Sequence, residues 1–151
     1  MLGMLAELLN HNTIRTCVEC QDWQDAVRMG GHLLVAANGL EERYVEAIIY
    51  NHQKLGPYMV IAPGIVLAHA RPEDGVLQLS MSLITLEQPI MFGNFTNDPV
   101  KIVITLGAKD ATSHLEALTQ LMDLLMNEKD VDKIMRSTRQ EDVIQIIRQY
   151  P

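Results

Sequence analysis

The chain has 151 residues, a formal charge of −7 and only two cysteines. That length suits one domain with a full apolar core, and with 48% apolar but only 5% aromatic residues the core must be filled by Leu, Ile, Val, Ala and Met. The acidic balance excludes a general nucleic-acid binder, because phosphate backbones attract basic surfaces, and two thiols build no disulfide framework.

Met1 to Leu9 is apolar but short, contains Glu7 and has no basic residue before it, so it does not read as a secretory signal. No stretch approaches the roughly 18–20 apolar residues of a membrane span. The expectation is a single domain over residues 1–151, soluble and cytoplasmic, with no membrane insertion.

Leu2, Leu5, Leu8 and Leu9 suggest a short first helix, and Thr13 to Cys17 a brief strand. Asp22 is placed to cap a helix carrying Trp23, Ala26, Val27, Gly30, Leu33, Leu34 and Ala37 on one face, ended by Asn38-Gly39. Glu41 opens a second helix through Tyr44, Val45, Ile48 and Ile49, stopped by Gly56-Pro57. Tyr58 to Ala62, between two prolines, reads as a buried strand, and Ile65, Val66 and Leu67 lead from Gly64 into His69. Arg71 to Gly75 has strong turn chemistry. Leu77, Leu79, Met81 and Leu83 then alternate with polar residues, as in a half-buried strand. Val100 to Leu106 is a further strand after Asn97-Asp98-Pro99.

The last third reads as helical. Ser113 and Glu116 have capping-box spacing ahead of Leu115, Leu118, Leu121, Met122 and Leu125. Thr138 and Glu141 repeat that spacing before Val143, Ile144, Ile146 and Ile147, and Asp130 is a candidate cap for a shorter helix between them. Helices, a central group of strands, then helices describe an α/β domain with one sheet covered on both faces.

Of the five histidines, two have distinctive settings. His69 lies where an apolar strand runs into a polar turn, a place that presents a side chain on a rigid scaffold. Arg71, two residues on, is a candidate partner for an anion. His114 follows Ser113 at a helix start, where first-turn N–H groups and the helix dipole favour anions. The competing reading of each is an ordinary histidine bonded across a turn or facing solvent.

Gly64-Ile65-Val66-Leu67-Ala68-His69-Ala70-Arg71 is similar to the G-I-A-x-P-H-A stretch of phosphotransferase-system IIA components of the mannitol/fructose type. Gly107-Ala108-Lys109-Asp110 and His114-Leu115-Glu116-Ala117-Leu118 resemble the second histidine segment of that family. Gly56 to Gly64, continuing to His69-Ala70-Arg71-Pro72-Glu73, looks most like the ascorbate-type branch, and the likeness extends from about Trp23 to Gln145. The resemblance implies a single three-layer domain with a mixed sheet flanked by helices. It implies that His69 accepts a phosphoryl group from phospho-HPr and gives it to a cysteine of a IIB component, which serves a membrane IIC. It gives His114 the role of supporting that group, with Ala70, Arg71 and Ser113 as further phosphate-binding candidates, and it implies neither a metal nor another cofactor.

This chain departs from the family in two places. Ala68 stands where many relatives have proline, and Tyr50-Asn51-His52-Gln53-Lys54 lacks an arginine found there in many of them, leaving Arg71 or Lys54 as substitutes. A regulatory IIA-like phosphoprotein acting on non-transport partners is the nearest alternative. Cys17-x-x-Cys20 is a thin signal for zinc or redox chemistry, since no second pair exists and the helix begins after both. A His69/His114/Asp110 metal site lacks any familiar ligand spacing. Met122, Met126 and Met135 read as core or interface packing.

Overall fold

The computed structural model describes residues 3–110 and 112–151; Leu2, assigned by its spacing to the first helix, lies outside them. In chain order come α1 (Met4–Leu8), β1 (Ile14–Val18), α2 (Trp23–Ala36), α3 (Glu42–Leu55), β2 (Val60–Ala62), β3 (Ile65–Ala68), β4 (Ser80–Ile90), β5 (Val100–Gly107), α4 (Leu115–Leu125), α5 (Glu128–Arg136) and α6 (Gln140–Ile147). The strands form one mixed sheet in the order β1-β4-β5-β3-β2. β1 is parallel to β4 and β3 to β5, whereas the β4/β5 and β2/β3 pairs are antiparallel.

Helices cover both faces, which gives the expected three layers. On one side Ala26, Val27, Leu34, Val45 and Ile48 of α2 and α3 pack against Val66, Ile84 and Val103. On the other, Leu5, Leu121, Leu124, Ile134, Val143 and Ile147 pack against Ile65, Leu83, Ile102 and Ile104. Burial of these side chains supplies most of the folding drive, at about 25 cal/mol per Å² of apolar surface. Among the described residues no helix is long and apolar enough to cross a membrane.

Asp22 caps α2 through its carboxylate, which accepts from the Asp25 amide at 2.8 Å. Asn38 then turns left-handed (φ 60°) and the Gly39 amide closes on Leu34. The expected strand from Tyr58 shrinks to Val60–Ala62, because the Val60 amide is turned back onto Pro57.

The expected half-buried strand at Leu77 to Leu83 is corrected. Leu77 is exposed, the strand begins at Ser80, and Met81 to Leu86 are buried on both faces. Of the polar residues in the alternation Gln78 is exposed, but Ser82 lies under α2 and donates to the Gly30 carbonyl at 2.8 Å. A Cβ on Gly30 would stand 2.9 Å from Thr105 Oγ1, so glycine over serine and threonine is what lets the helix sit this close to the sheet.

The three expected caps in the last third are also corrected. The N-cap of α4 is His114, with no side-chain cap bond, and the Ser113 amide is held by Asp110 instead. Asn127, not Asp130, caps α5, its side chain accepting from the Asp130 amide; Asp130 itself is buried inside the helix and accepts from the Tyr150 hydroxyl. The N-cap of α6 is Arg139, which makes no side-chain cap bond, and the Thr138 carbonyl accepts from the Thr16 hydroxyl.

Candidate functional site

The parallel pair β3/β5 ends at Ala68 opposite Thr105, and beyond it the two chains part, opening the kind of crevice that ligands use at the carboxyl ends of parallel strands. His69 stands on one lip. Its Nδ1 lies 2.9 Å from the Leu67 carbonyl; a carbonyl only accepts, so Nδ1 carries a proton, and in the neutral ring Nε2 keeps the lone pair. The Tyr58 ring and the imidazole pack in a T shape, with centroids 5.7 Å apart and planes at 88°.

His114 stands on the other lip, in a bridge-like conformation (φ −107°, ψ 2°) at the mouth of α4. Asp110 organises the turn before it: Oδ1 accepts from the Ser113 amide at 2.6 Å and from the Thr112 amide at 2.9 Å. Those donors, Ser113 first, hold the Asp110 carboxyl down at about 2. The His114 Nδ1 is buried without a partner, which leaves Nε2 as the ring nitrogen open to the crevice. An orphaned acceptor is tolerated better than an orphaned N–H, so the favoured neutral tautomer carries its proton on Nε2.

Tyr44 forms the floor. It is buried, its hydroxyl donates to the Leu106 carbonyl at 2.7 Å and accepts from the Ala70 amide at 2.9 Å. Burial pushes the phenol up to about 12, so it stays protonated. The cavity is about 270 Å³, and Ala70, Pro72, Leu106, Ala108 and Asp110 complete its wall.

The structure thus brings His69, Ala70 and His114 to one cavity, 45 positions apart in sequence for the two histidines. Arg71 and Ser113 are not on its wall. Arg71 is exposed, with Nε 3.6 Å from both Glu73 and Asp74, and the amides of Ala70 and Ser113 are already engaged by Tyr44 and Asp110. Lys54 lies over the Tyr50 ring, 5.6 Å from its centre, and is not on the cavity wall. His11 and His32 pair with Glu141 and Glu42 at the surface. His52 is buried and donates from Nε2 to the Phe92 carbonyl.

Sequence reasoning missed Tyr44 and Tyr58 as site residues. For Tyr44 a signal existed: a tyrosine on a buried stripe needs a partner for its hydroxyl. Cys17 and Cys20 are free thiols, and burial, with Asp25 and Asp22 nearby, pushes Cys20 up to about 11. A larger recess of about 470 Å³ beside Cys20 is walled by Glu19, Asp25 and Glu87 and would repel an anion. Among the described residues no group of three or more His, Cys, Asp or Glu is placed to hold a metal ion. Met135 packs on the core, whereas Met126 is exposed.

The chain as a whole has counterparts among known proteins. The chain is 42% identical over 141 residues to the ascorbate-specific PTS system EIIA component of Salmonella typhi, covering 93% of this chain and 92% of that one. It superposes on the mannitol-specific cryptic phosphotransferase enzyme IIA CmtB from Escherichia coli with a TM-score of 0.88 and 34% identity, over 96% and 98% of the two chains. It shares its fold with enzyme IIA in the complex of Escherichia coli IIAMTL with phosphorylated IIBMTL (TM-score 0.80, 22% identity, 93% and 98% covered). Residues 7–150, the stretch that holds both histidine lips and the tyrosine floor, match the model of the phosphoenolpyruvate-dependent sugar phosphotransferase system EIIA 2 family, and the chain is a member of that family.

Proposed function

We propose that the chain carries a phosphoryl group on Nε2 of His69, taking it from phospho-HPr and giving it to a cysteine of a IIB component that serves a membrane IIC transporter. The observation that carries this reading is the state of the His69 ring: Nδ1 is bound to the Leu67 carbonyl and Nε2 opens onto the cavity shared with His114. A neutral imidazole nitrogen with a free lone pair is a competent nucleophile near neutral pH.

In the first step the Nε2 lone pair attacks phosphorus in line; the new N–P bond forms as the donor's N–P bond breaks, and that electron pair leaves with the donor imidazole. In the second, a IIB thiolate forms an S–P bond while the His69 N–P bond breaks and returns its pair to Nε2. Neither step consumes a cofactor. The work left to the protein is positioning and stabilisation of charge on the equatorial oxygens. His114 Nε2–H and the positive end of α4 are suited to that charge, while the apolar wall of Ala70, Leu106 and Ala108 keeps water from the labile bond.

The relay is cytoplasmic in this reading, and the sugar favoured at its end is ascorbate, because relatives about 40% identical carry that specificity in their names. Mixing the protein with phosphoenolpyruvate, enzyme I and HPr, and recording its intact mass, tests the proposal. One acid-labile phosphoryl group is expected on the wild type and none on His69→Ala. No gain in the wild type would refute the carrier role, and equal gain in His69→Ala would refute the residue.

A further inference from the structure

The β3/β5 ladder pairs Ile65, Val66, Leu67 and Ala68 with Ile102, Val103, Ile104 and Thr105 and then stops. The next polar groups on the two chains, the Ala70 amide and the Leu106 carbonyl, do not meet each other. The Tyr44 hydroxyl sits between them, accepting from the first at 2.9 Å and donating to the second at 2.7 Å. The Ala70 carbonyl, 3.3 Å away, is a weaker second acceptor. One oxygen therefore replaces one rung of the ladder. A direct N–H···O bond would draw the strands together at about 2.9 Å; the inserted hydroxyl, with its two bonds at a near-tetrahedral angle, holds them at about one and a half times that.

The two histidines leave from these points. His69 is bonded to Ala70, and His114 is reached from Leu106 through Gly107 and the turn that Asp110 organises. The separation of the lips is thus set at their base by a side chain from a third element, α3. Core packing alone does not require a hydroxyl there, since phenylalanine would fill the same volume. A buried hydroxyl is costly unless bonded, and both of its strong bonds are spent at the bottom of the cavity. The phenol stays protonated, as its raised value of about 12 requires, so it acts as a spacer and not as a base. Its setting is unlike that of Arg71, which is exposed, and Ser113, which is off the wall; neither fixes the cradle's width.

We infer that Tyr44 is a positioning residue for phosphoryl transfer, its hydroxyl acting as a one-oxygen spacer between Ala70 and Leu106 that sets the separation of His69 and His114 across the cavity. The inference rests on the carrier reading of His69.

Tyr44→Phe keeps the ring and removes the spacer. In single-turnover transfer from phospho-HPr, the maximal rate is expected to fall about 10- to 100-fold, the scale set by displacing reacting groups by an ångström. The half-saturating phospho-HPr concentration should stay within about 2-fold, because no docking residue is altered. Ile48→Ala, in the next turn of α3 and buried in the same core, is the control for lost stability: measured well below its unfolding midpoint, it should transfer at the wild-type rate. A Tyr44→Phe protein that transfers within about 2-fold of wild type, or one that only matches Ile48→Ala, overturns the inference.

If Tyr44→Phe does not fold, the wild type still decides. Its Tyr44 hydroxyl proton should resist solvent exchange and show a nuclear Overhauser contact to the Ala70 amide, with and without the phosphoryl group; a freely exchanging hydroxyl overturns the inference. The two readings fail separately. A wild type that takes no phosphoryl group, or a His69→Ala protein that takes it equally, removes both. Wild type labelled through His69, with Tyr44→Phe at full speed, leaves the carrier standing and removes Tyr44 alone.

Discussion

Replacing Gly31 with alanine puts a methyl group where α2 meets α3. That Cβ would lie 2.6 Å from Val45 Cγ2, 3.1 Å from Cγ1 and 3.4 Å from Cβ. Ordinary carbon contacts begin near 3.5 Å, so one of the helices must shift by roughly 1 Å. Val45 is buried and β-branched, with one strongly preferred rotamer in a helix, so a side-chain rotation gives no cheap escape. Overpacking of this kind costs about 2–3 kcal/mol, against about 1 kcal/mol gained by alanine over glycine inside a helix. Gly31→Ala should therefore destabilise by about 1–2 kcal/mol. Val45→Ala alone should cost about 2–3 kcal/mol, through two lost methyls and a partial cavity. In the Val45→Ala background the close methyls are gone, and Gly31→Ala should become favourable by up to about 1 kcal/mol. Urea unfolding of the four proteins measures this sign reversal as a coupling of about 2–3 kcal/mol. Equal effects of Gly31→Ala in both backgrounds would refute the steric argument. Val45 adjoins Tyr44, so Gly31→Ala should also slow phosphoryl transfer.

Two further outcomes follow from the titrating groups. Asp110, depressed to about 2 by the Ser113 and Thr112 amides, stabilises its turn fully above the ordinary value near 3.8 and loses that support as pH falls through about 2. The Thr112 and Ser113 amide resonances should titrate with that low midpoint; a midpoint near 4 would contradict the carboxylate's role. Cys20, raised to about 11 chiefly by burial, should resist iodoacetamide at pH 8 while the exposed Cys17 is modified, as peptide mass mapping would record; equal labelling would refute the protected environment.

Much of the fold was legible because neighbouring residues decide it. Asp22 before an apolar stripe gave the start of α2, and the run Ile65 to Leu67 entering the polar turn Arg71 to Gly75 gave the setting of His69. What failed depends on contacts distant in sequence. The Ser113/Glu116 and Thr138/Glu141 spacings fit a capping box, but Asp110 takes the Ser113 amide and Thr16 bonds the Thr138 carbonyl. The alternation at Leu77 to Leu83 suggested a wet face, yet Ser82 is dry under Gly30, a residue 52 positions away. Both histidines were visible as candidates from their own segments. Their shared cavity also needs Tyr44, whose helical spacing with Val45 and Ile48 reads as core and does not reveal where its hydroxyl points.

The strand order also bears on how this site comes into being. β5 lies between β4 and β3, so without it the sheet is two separate ribbons, β1 with β4 and β2 with β3. The Leu67–His69 tether spans two residues and can close in either ribbon state, whereas the opposite lip exists only once the chain through His114 has been made and β5 has slotted in. A fragment ending before Val100 would carry His69 and no cradle. Because inserting one strand both unites the sheet and builds the crevice, competence for transfer should switch on with global folding instead of growing by stages, and it would serve as a sensitive gauge of the intact native state.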